Sequence, residues 1–385
     1  MKTTIMTMKY VFWIAAAVVG YSYLGYPIWL WLRSWWSPRP VRRGSLNSNM
    51  PSVSAVMVVC NEESVIARKL ENLLTLDYPE AKLDVVVVSD GSTDRTAAIL
   101  AGYGSQTRVR TLLKLTSQGK AAGLNDAIKM ATGEVLLFTD ARQHIETGAL
   151  GLLIENLADP EIGAASGELM LGDPTRGETG EGMSFYWRIE KRIREMESAS
   201  GSVAGATGAI YCVRRSLIEP SPLPEGTILD DVLLPMQVVR KGSRVIFDSR
   251  ARAWDAPDLG ESREFWRKVR TLSGNYQLLQ LAPWLLSARN PIRFEFISHK
   301  LSRLAVPFAL LVLLVASMFL AQPFYRAALA AQVLFYGLSM VALAGVKIGP
   351  LSRIADPART FVVLNSAAMV AFVNFATGRK VVWAR

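Results

Sequence analysis

Only two cysteines and two histidines occur in the 385 residues: Cys60, Cys212, His144 and His299. A zinc site assembled from several such ligands is excluded, and a disulfide framework is implausible. Cys60 stands at a strand end and reads as a small buried hydrophobe. The chain also lacks internal repeats and low-complexity tracts. Basic residues outnumber acidic ones, 43 to 33, for a formal net charge of +10, yet no polybasic arm exists. The basic groups cluster at residues 188–194, 240–252 and 263–270, always interleaved with apolar positions. That pattern argues against a nucleic-acid partner and for solvated helix faces. Near a bilayer, each such charge favours anionic headgroups by about 1 kcal/mol.

Half of the residues are hydrophobic, and the apolar runs gather at the two ends. Residues 10–32 are long enough to cross a hydrocarbon core, which takes about 20 residues. Trp29, Trp31, Trp35 and Trp36 extend this run like an interfacial belt, and no small-residue cleavage site ends it, so an anchor is read rather than a signal peptide. Arg33, Arg39, Arg42 and Arg43 outweigh Lys2 and Lys9, which places the central domain in the cytoplasm. Residues 304–320 and 327–346 are two further spans, and Lys347, Arg353 and Arg359 mark a return to the cytoplasm. Residues 360–377 hold Asn365, Ser366 and Asn374, and crossing would carry Arg379, Lys380 and Arg385 to the far side; whether they span stays open. The expected plan is an anchor over 1–37, a linker over 38–50 and a cytoplasmic α/β domain over 51–281. An interfacial amphipathic segment over 282–303 and a membrane region of two or three helices over 304–385 complete it.

Within the central domain, strand-like runs stop at acids. Residues 54–60 (SAVMVVC) end in Asn61-Glu62-Glu63, and residues 83–90 end in Asp90-Gly91-Ser92. Four consecutive valines in the second run suit a parallel strand covered on both faces, and ligands of such sheets collect at the carboxyl ends of the strands. Asp90 at that edge can accept hydrogen bonds from a base or ribose, while Gly91 lets the backbone turn. Lys120, in Gly119-Lys120-Ala121, can meet phosphate. A third strand, residues 134–138, ends at Asp140-Ala141-Arg142, where Asp140 can hold a metal or ribose. Later, residues 205–211 form a small-residue turn into a strand, with Thr207 and Gly208 placed to let a sugar approach the backbone. Asp230-Asp231 precede an apolar helical pattern, where one of them can serve as a cap.

This ordered series resembles the family-2 glycosyltransferases of the Rossmann-like GT-A fold, which carry Asn-Glu-Glu, Asp-Gly-Ser, Gly-Lys and Asp-x-Asp elements in the same order. The resemblance spans roughly residues 51–276 and extends to the cellulose, hyaluronan and poly-N-acetylglucosamine synthase group. It implies an α/β GT-A domain with flanking transmembrane helices. It also implies an inverting hexosyl- or N-acetylhexosaminyl-transferase at the cell membrane. The donor would be a nucleotide-diphosphate sugar, expected to be a UDP-sugar. The acceptor would be a growing polysaccharide or lipid-linked glycan, with membrane lipid and an export or assembly partner as further associates.

By the same resemblance, Asn61, Glu62, Asp90, Lys120, Asp140 and Arg142 belong to the donor site, Thr207 and Gly208 to the acceptor site. Asp231 is the general base, Asp230 supports it, and Arg270 stabilises the departing diphosphate. Two departures stand out. Arg142 replaces the second acid of Asp-x-Asp, so Mg2+ or Mn2+ is held through Asp140 with diphosphate and water, or Arg142 supplies fixed charge in its place. Arg267 and Thr271 replace the Gln and Trp of a Gln-x-x-Arg-Trp motif, which puts polymer-forming ability in doubt. Alternatives are a polyprenyl-phosphate monosaccharide transferase and a catalytically silent glycan-binding or assembly subunit.

Overall fold

The computed structural model describes residues 2–45, 50–172, 185–219, 221–256, 261–346 and 352–379. Strand β1 (Val53–Val59) is buried along its whole length and β2 (Leu83–Asp90) along nearly all of it. Such β-branched runs fit strands sandwiched between helical layers. The two pair in parallel, from Val53 with Leu83 to Val59 with Ser89. β3 (Val109–Lys114) and β4 (Val135–Phe138) extend this parallel half on either side. With β5 (His144–Ile145), β6 (Ile162–Leu171), β7 (Tyr211–Arg214) and β8 (Arg244–Asp255), one eight-stranded sheet runs in the order β3-β2-β1-β4-β7-β6-β8-β5.

The direction changes at β4 and β7, which pair antiparallel with Phe138 opposite Tyr211. The carboxyl end of β4 therefore meets the amino end of β7. That register places Asp140, just past β4, beside the 205–210 turn just before β7, at the type of edge where open α/β sheets bind ligands.

Helices cover both faces. Ile66–Leu74 turns Ile66, Leu70 and Leu73 to one face, where Ala149–Leu157 adds Leu150, Leu153 and Ile154. Lys120–Met130 and Asp230–Arg240 pack on the other, with Leu124, Ala127, Leu233 and Val238 in its core. Cys60 is only partly buried, against the sequence expectation, while Cys212 is enclosed in the core.

Among the described residues, four helices are long and apolar enough to cross a membrane: Thr3–Trp36, Arg293–Phe319, Pro323–Leu343 and Ile354–Ala376. The fourth covers the segment left open from sequence. Its Asn365 is internally satisfied, donating to the Phe361 carbonyl at 2.9 Å and to the Tyr23 hydroxyl at 3.4 Å. A polar side chain so bonded is compatible with a nonpolar setting. Lys347, Lys380 and Arg385, used in the topology reading, lie outside the described residues.

In the segment 282–303, expected to be interfacial, Leu285, Ile292 and Phe296 are buried in the main core, while Leu286, Phe294 and Ile297 are exposed. From Arg293 onward, the chain continues without a break into Ser302–Phe319. Helix Glu261–Leu281 binds the two regions together, since Val269 and Tyr276 pack with Leu304, Ala367 and Ala371.

Gly91 is required where β2 turns. Its φ is +66°, and a Cβ there would lie 2.3 Å from the Ser117 backbone nitrogen. Gly91→Ala should destabilise the protein by roughly 2–3 kcal/mol through left-handed strain and collision with the 116–117 backbone. A thermal melt of the solubilised protein should show a clearly lower midpoint; an unchanged one would contradict this account.

Candidate active site

The ends of β1 and β2 interlock before any ligand is considered. Asn61 adopts φ 57°, a left-handed conformation that asparagine tolerates better than most residues. Its Oδ1 accepts a hydrogen bond from the Thr93 N–H at 2.7 Å, and its own N–H donates to Ser92 Oγ at 3.2 Å. Asp90 is fully buried. Its oxygens accept bonds from Ser117 Oγ at 2.7 Å, the Gln118 N–H at 2.9 Å and the Gly119 N–H at 2.8 Å. The sequence reading put Asn61 and Asp90 against the nucleotide. The structure turns both side chains to the protein, where they set the 91–96 and 117–119 turns.

The payoff of the second turn is Lys120, which follows it directly. Its Nζ lies 3.0 Å from Asp140 Oδ1 and 3.1 Å from Asp230 Oδ1. Burial opposes its charge, but Asp140, Asp230 and Asp231 together outweigh burial and hold the ammonium above its usual range. Asp231 is shifted the other way from an ordinary carboxylate. Burial and the Asp230 charge push it up to about 6, against the opposing pull of Lys120 and Lys300. Lys120 thus gathers Asp140 and Asp230 directly and Asp231 through its field.

The 205–210 turn closes this cluster from the other half of the sheet. The Ala206 N–H donates to the Asp231 carbonyl at 2.7 Å. Gly208 has no side chain to intrude: a Cβ there would lie 3.4 Å from Asp231 Oδ2 and 3.7 Å from Asp140 Oδ2. Thr207 accepts a hydrogen bond from Arg194 Nη1 at 2.8 Å. Thr207 and Gly208 therefore border the acids.

Glu62 and Arg142 form a separate pair, Oε1 to Nε 3.4 Å, with Arg142 largely exposed. Burial raises the Glu62 carboxyl, with Arg142 opposing the shift. Arg142 is thus tied to Glu62 rather than packed against Asp140. Arg270 is partly buried on helix Glu261–Leu281, with no ion pair among the described residues. One turn later on that helix, Gly274 packs on Leu229 and Ile228. Gln277 then bonds the Ile228 N–H at 3.0 Å and the Gly226 carbonyl at 2.8 Å. Residues separated by three or four positions share a helix face, so Arg270 lies on the face docked against the segment leading into Asp230.

Several participants had no sequence signal. Lys69 is buried and donates to Thr139 Oγ1 at 2.8 Å and to the Gln143 carbonyl at 2.7 Å; burial lowers its pKa to about 7. Thr139 Oγ1 in turn donates to the Ala209 carbonyl at 2.8 Å. This chain fixes the loop bearing Asp140 to the loop bearing Gly208. The buried Tyr211 hydroxyl has no hydrogen-bond partner among the described residues, and burial with the nearby acids pushes it well above its ordinary value. Arg194 and Lys300 come from elements whose periodicity reads simply as a charged helix and a membrane-surface segment.

Comparison with known proteins fits this geometry. Residues 54–220 match the family model described as glycosyl transferase family 2. The chain carries a family-2 glycosyltransferase domain. Beta-monoglucosyldiacylglycerol synthase of Nostoc sp. is 25% identical over 197 residues, covering 50% of this chain and 42% of that protein. Poly-beta-1,6-N-acetyl-D-glucosamine synthase of Staphylococcus epidermidis is 22% identical over 242 residues, covering 62% and 58%. This chain thus spans about half the length of these curated relatives. The solved structure of mannosyltransferase PcManGT from Pyrobaculum calidifontis, in complex with GDP-Man and Mn2+, superposes with a TM-score of 0.71. That match covers 96% of this chain and 99% of the other at 23% identity, a likeness of fold.

The raised Asp231 carboxyl makes a prediction about stability. A folded state that holds this proton more tightly than the unfolded chain loses stability as pH rises from the ordinary aspartate value through about 6. Asp231→Asn removes that dependence. Its melting midpoint should exceed wild type at pH 8 and approach it at pH 4; a midpoint lowered equally at both would show that Asp231 stabilises the fold.

Proposed function

We propose that the chain is an inverting glycosyltransferase anchored in a membrane. It moves a sugar from a nucleoside-diphosphate donor, expected to be UDP-linked, to a hydroxyl of a glycan or lipid-linked acceptor at the cytoplasmic face. The observation that carries this reading is the Lys120 cluster. An ammonium held between Asp140 and Asp230 stands beside a carboxylate raised toward neutrality, Asp231.

The residues divide the chemistry by position. Asp231, next to the open Gly208 backbone, takes the proton of the acceptor hydroxyl as that oxygen bonds to the anomeric carbon. The bond from that carbon to the donor phosphate breaks, and its electron pair leaves on the nucleoside diphosphate. Lys120 and Arg270 place positive charge where that negative charge grows, the kind of fixed electrostatic assistance that works best away from bulk water. Asp230 holds Lys120, while Glu62 orients Arg142 for the donor phosphates. Asn61 and Asp90 act through the turns they hold.

A divalent cation fits this site only as part of the donor complex. Among the described residues no group of three or more His, Cys, Asp or Glu side chains could hold one. Asp140 nonetheless offers a partly exposed carboxylate whose Oδ2 borders Gly208, and Mg2+ commonly takes one or two carboxylates plus substrate phosphates. Asp140 would hold the ion, which would neutralise diphosphate charge. The mannosyltransferase that shares the fold was solved with GDP-Man and Mn2+, consistent with this arrangement.

The test is nucleoside-diphosphate release by purified protein across UDP- and GDP-linked sugars. Asp231→Asn should lose 10²–10⁴-fold in turnover while donor affinity stays within a few-fold, because a general base acts in the transition state. Near-normal turnover would refute its role. Chelation by EDTA should suppress release, with Mn2+ or Mg2+ restoring wild type but not Asp140→Ala. Full activity in chelator would favour Arg142 as the replacement charge.

A further inference from the structure

Asp231 interacts with a second cation, Lys300, whose acidic neighbours on the helix Phe185–Ser200 are mostly engaged by other groups. Lys300 lies in the π-helical turn Ile297–Leu301, immediately after the buried His299. Glu190 receives Arg303 at 2.6 Å, His299 at 2.8 Å and Arg194 at 3.6 Å. Glu197 receives the Tyr26 hydroxyl at 2.6 Å and His299 at 2.8 Å, both on Oε1, while its buried Oε2 has no hydrogen-bond partner among the described residues. Lys300 is partly buried and interacts electrostatically with Arg194, Glu190, Asp231 and Glu197. Among the described residues, however, it makes no ion pair and no hydrogen bond. Counting fixed charges, Lys300, Arg194 and Arg303 are matched by Glu190, Glu197 and Asp231, but none of these acids forms an ion pair with Lys300 among the described residues. An ammonium partly withdrawn from water without an anion is costly, and a ligand anion would relieve that cost.

The geometry joins this cation to the acceptor edge. Arg194 bonds Thr207, whose neighbour Gly208 faces the Asp231 carboxylate. The segment bearing Lys300 also belongs to the apolar helix Arg293–Phe319, and its Phe294 and Ile297 are exposed. A ligand at Lys300 therefore sits where a bilayer headgroup layer would meet the catalytic domain.

We propose that Lys300 and Arg194 form an anion seat for a phosphate carried by the acceptor, and that this acceptor is a phosphate-bearing lipid. Its phosphate rests on Lys300 while the hydroxyl to be glycosylated reaches Asp231. This rests on the reading of Asp231 as the acceptor-side base. The seat is independently testable because binding needs no turnover.

The experiment measures binding of dodecyl phosphate to the full chain in phosphatidylcholine nanodiscs, with UDP and GDP binding as controls on the donor side. Lys300→Met should weaken dodecyl phosphate at least about tenfold, the scale of one lost charge-assisted bond, and leave nucleotide affinity within about twofold. Lys300→Arg should restore the lipid affinity, which a defect of packing alone would not allow. Unchanged binding in Lys300→Met, or equally tight binding of uncharged dodecyl maltoside, would overturn the seat. Inorganic phosphate that competes as strongly as dodecyl phosphate would overturn the lipid source. Should Asp231→Asn keep its transfer activity while Lys300-dependent binding persists, the catalytic reading fails and the anion seat stands.

Discussion

One ammonium organises the centre of this protein. Lys120 sits within ion-pair distance of Asp140, which follows β4, and of Asp230, which begins the helix after the 205–210 turn and β7. These acids come from the parallel and the antiparallel halves of the sheet. Without the cation, Asp140, Asp230 and Asp231 would repel one another in a partly dry cleft. Deleting one partner of a buried pair typically costs 3–5 kcal/mol, so the cluster holds its geometry as well as its charge. Much of the surroundings exists to aim it: Asp90 fixes the turn before Lys120, and the chain from Lys69 through Thr139 to Ala209 fixes the two facing loops.

The long apolar helices are fastened to the same region by polar bonds. Tyr21, in one π-helical turn, shares a 2.6 Å hydrogen bond with Ser298 in the other. Two residues further along, Lys300 interacts electrostatically with Asp231, and His299 locks the helix Phe185–Ser200 through two glutamates. Such π-helical turns are rare and often accompany functional sites. Here they widen two helices where the apolar helices and the α/β domain meet.

The strands and their ends were legible because β-branched runs, glycine turns and terminal acids are local signals. Residues 83–90 announced a buried parallel strand, and Asp230-Asp231 announced a helix start. The partners of these groups were not legible. Asp90 reads as a ligand contact from its place at a strand end, and its bonds to the 117–119 turn carry no local signal. Lys300 was hidden inside an amphipathic segment, since only tertiary packing shows that its acidic neighbours Glu190 and Glu197 bond His299, Arg303 and Tyr26 instead. The helix Ser352–Ala376 was obscured by its own polar residues, of which Asn365 donates locally to the Phe361 carbonyl.

The central claim is that Lys120 tunes Asp231 as a base. The direct measurement is the pH dependence of kcat/KM for wild type and for the residual turnover of Lys120→Met. Wild-type activity should fall as pH drops through about 6, where Asp231 takes up its proton. In the variant this acidic limb should move to higher pH, because the cation that opposes protonation is gone. A limb at the same pH in both proteins would contradict the account.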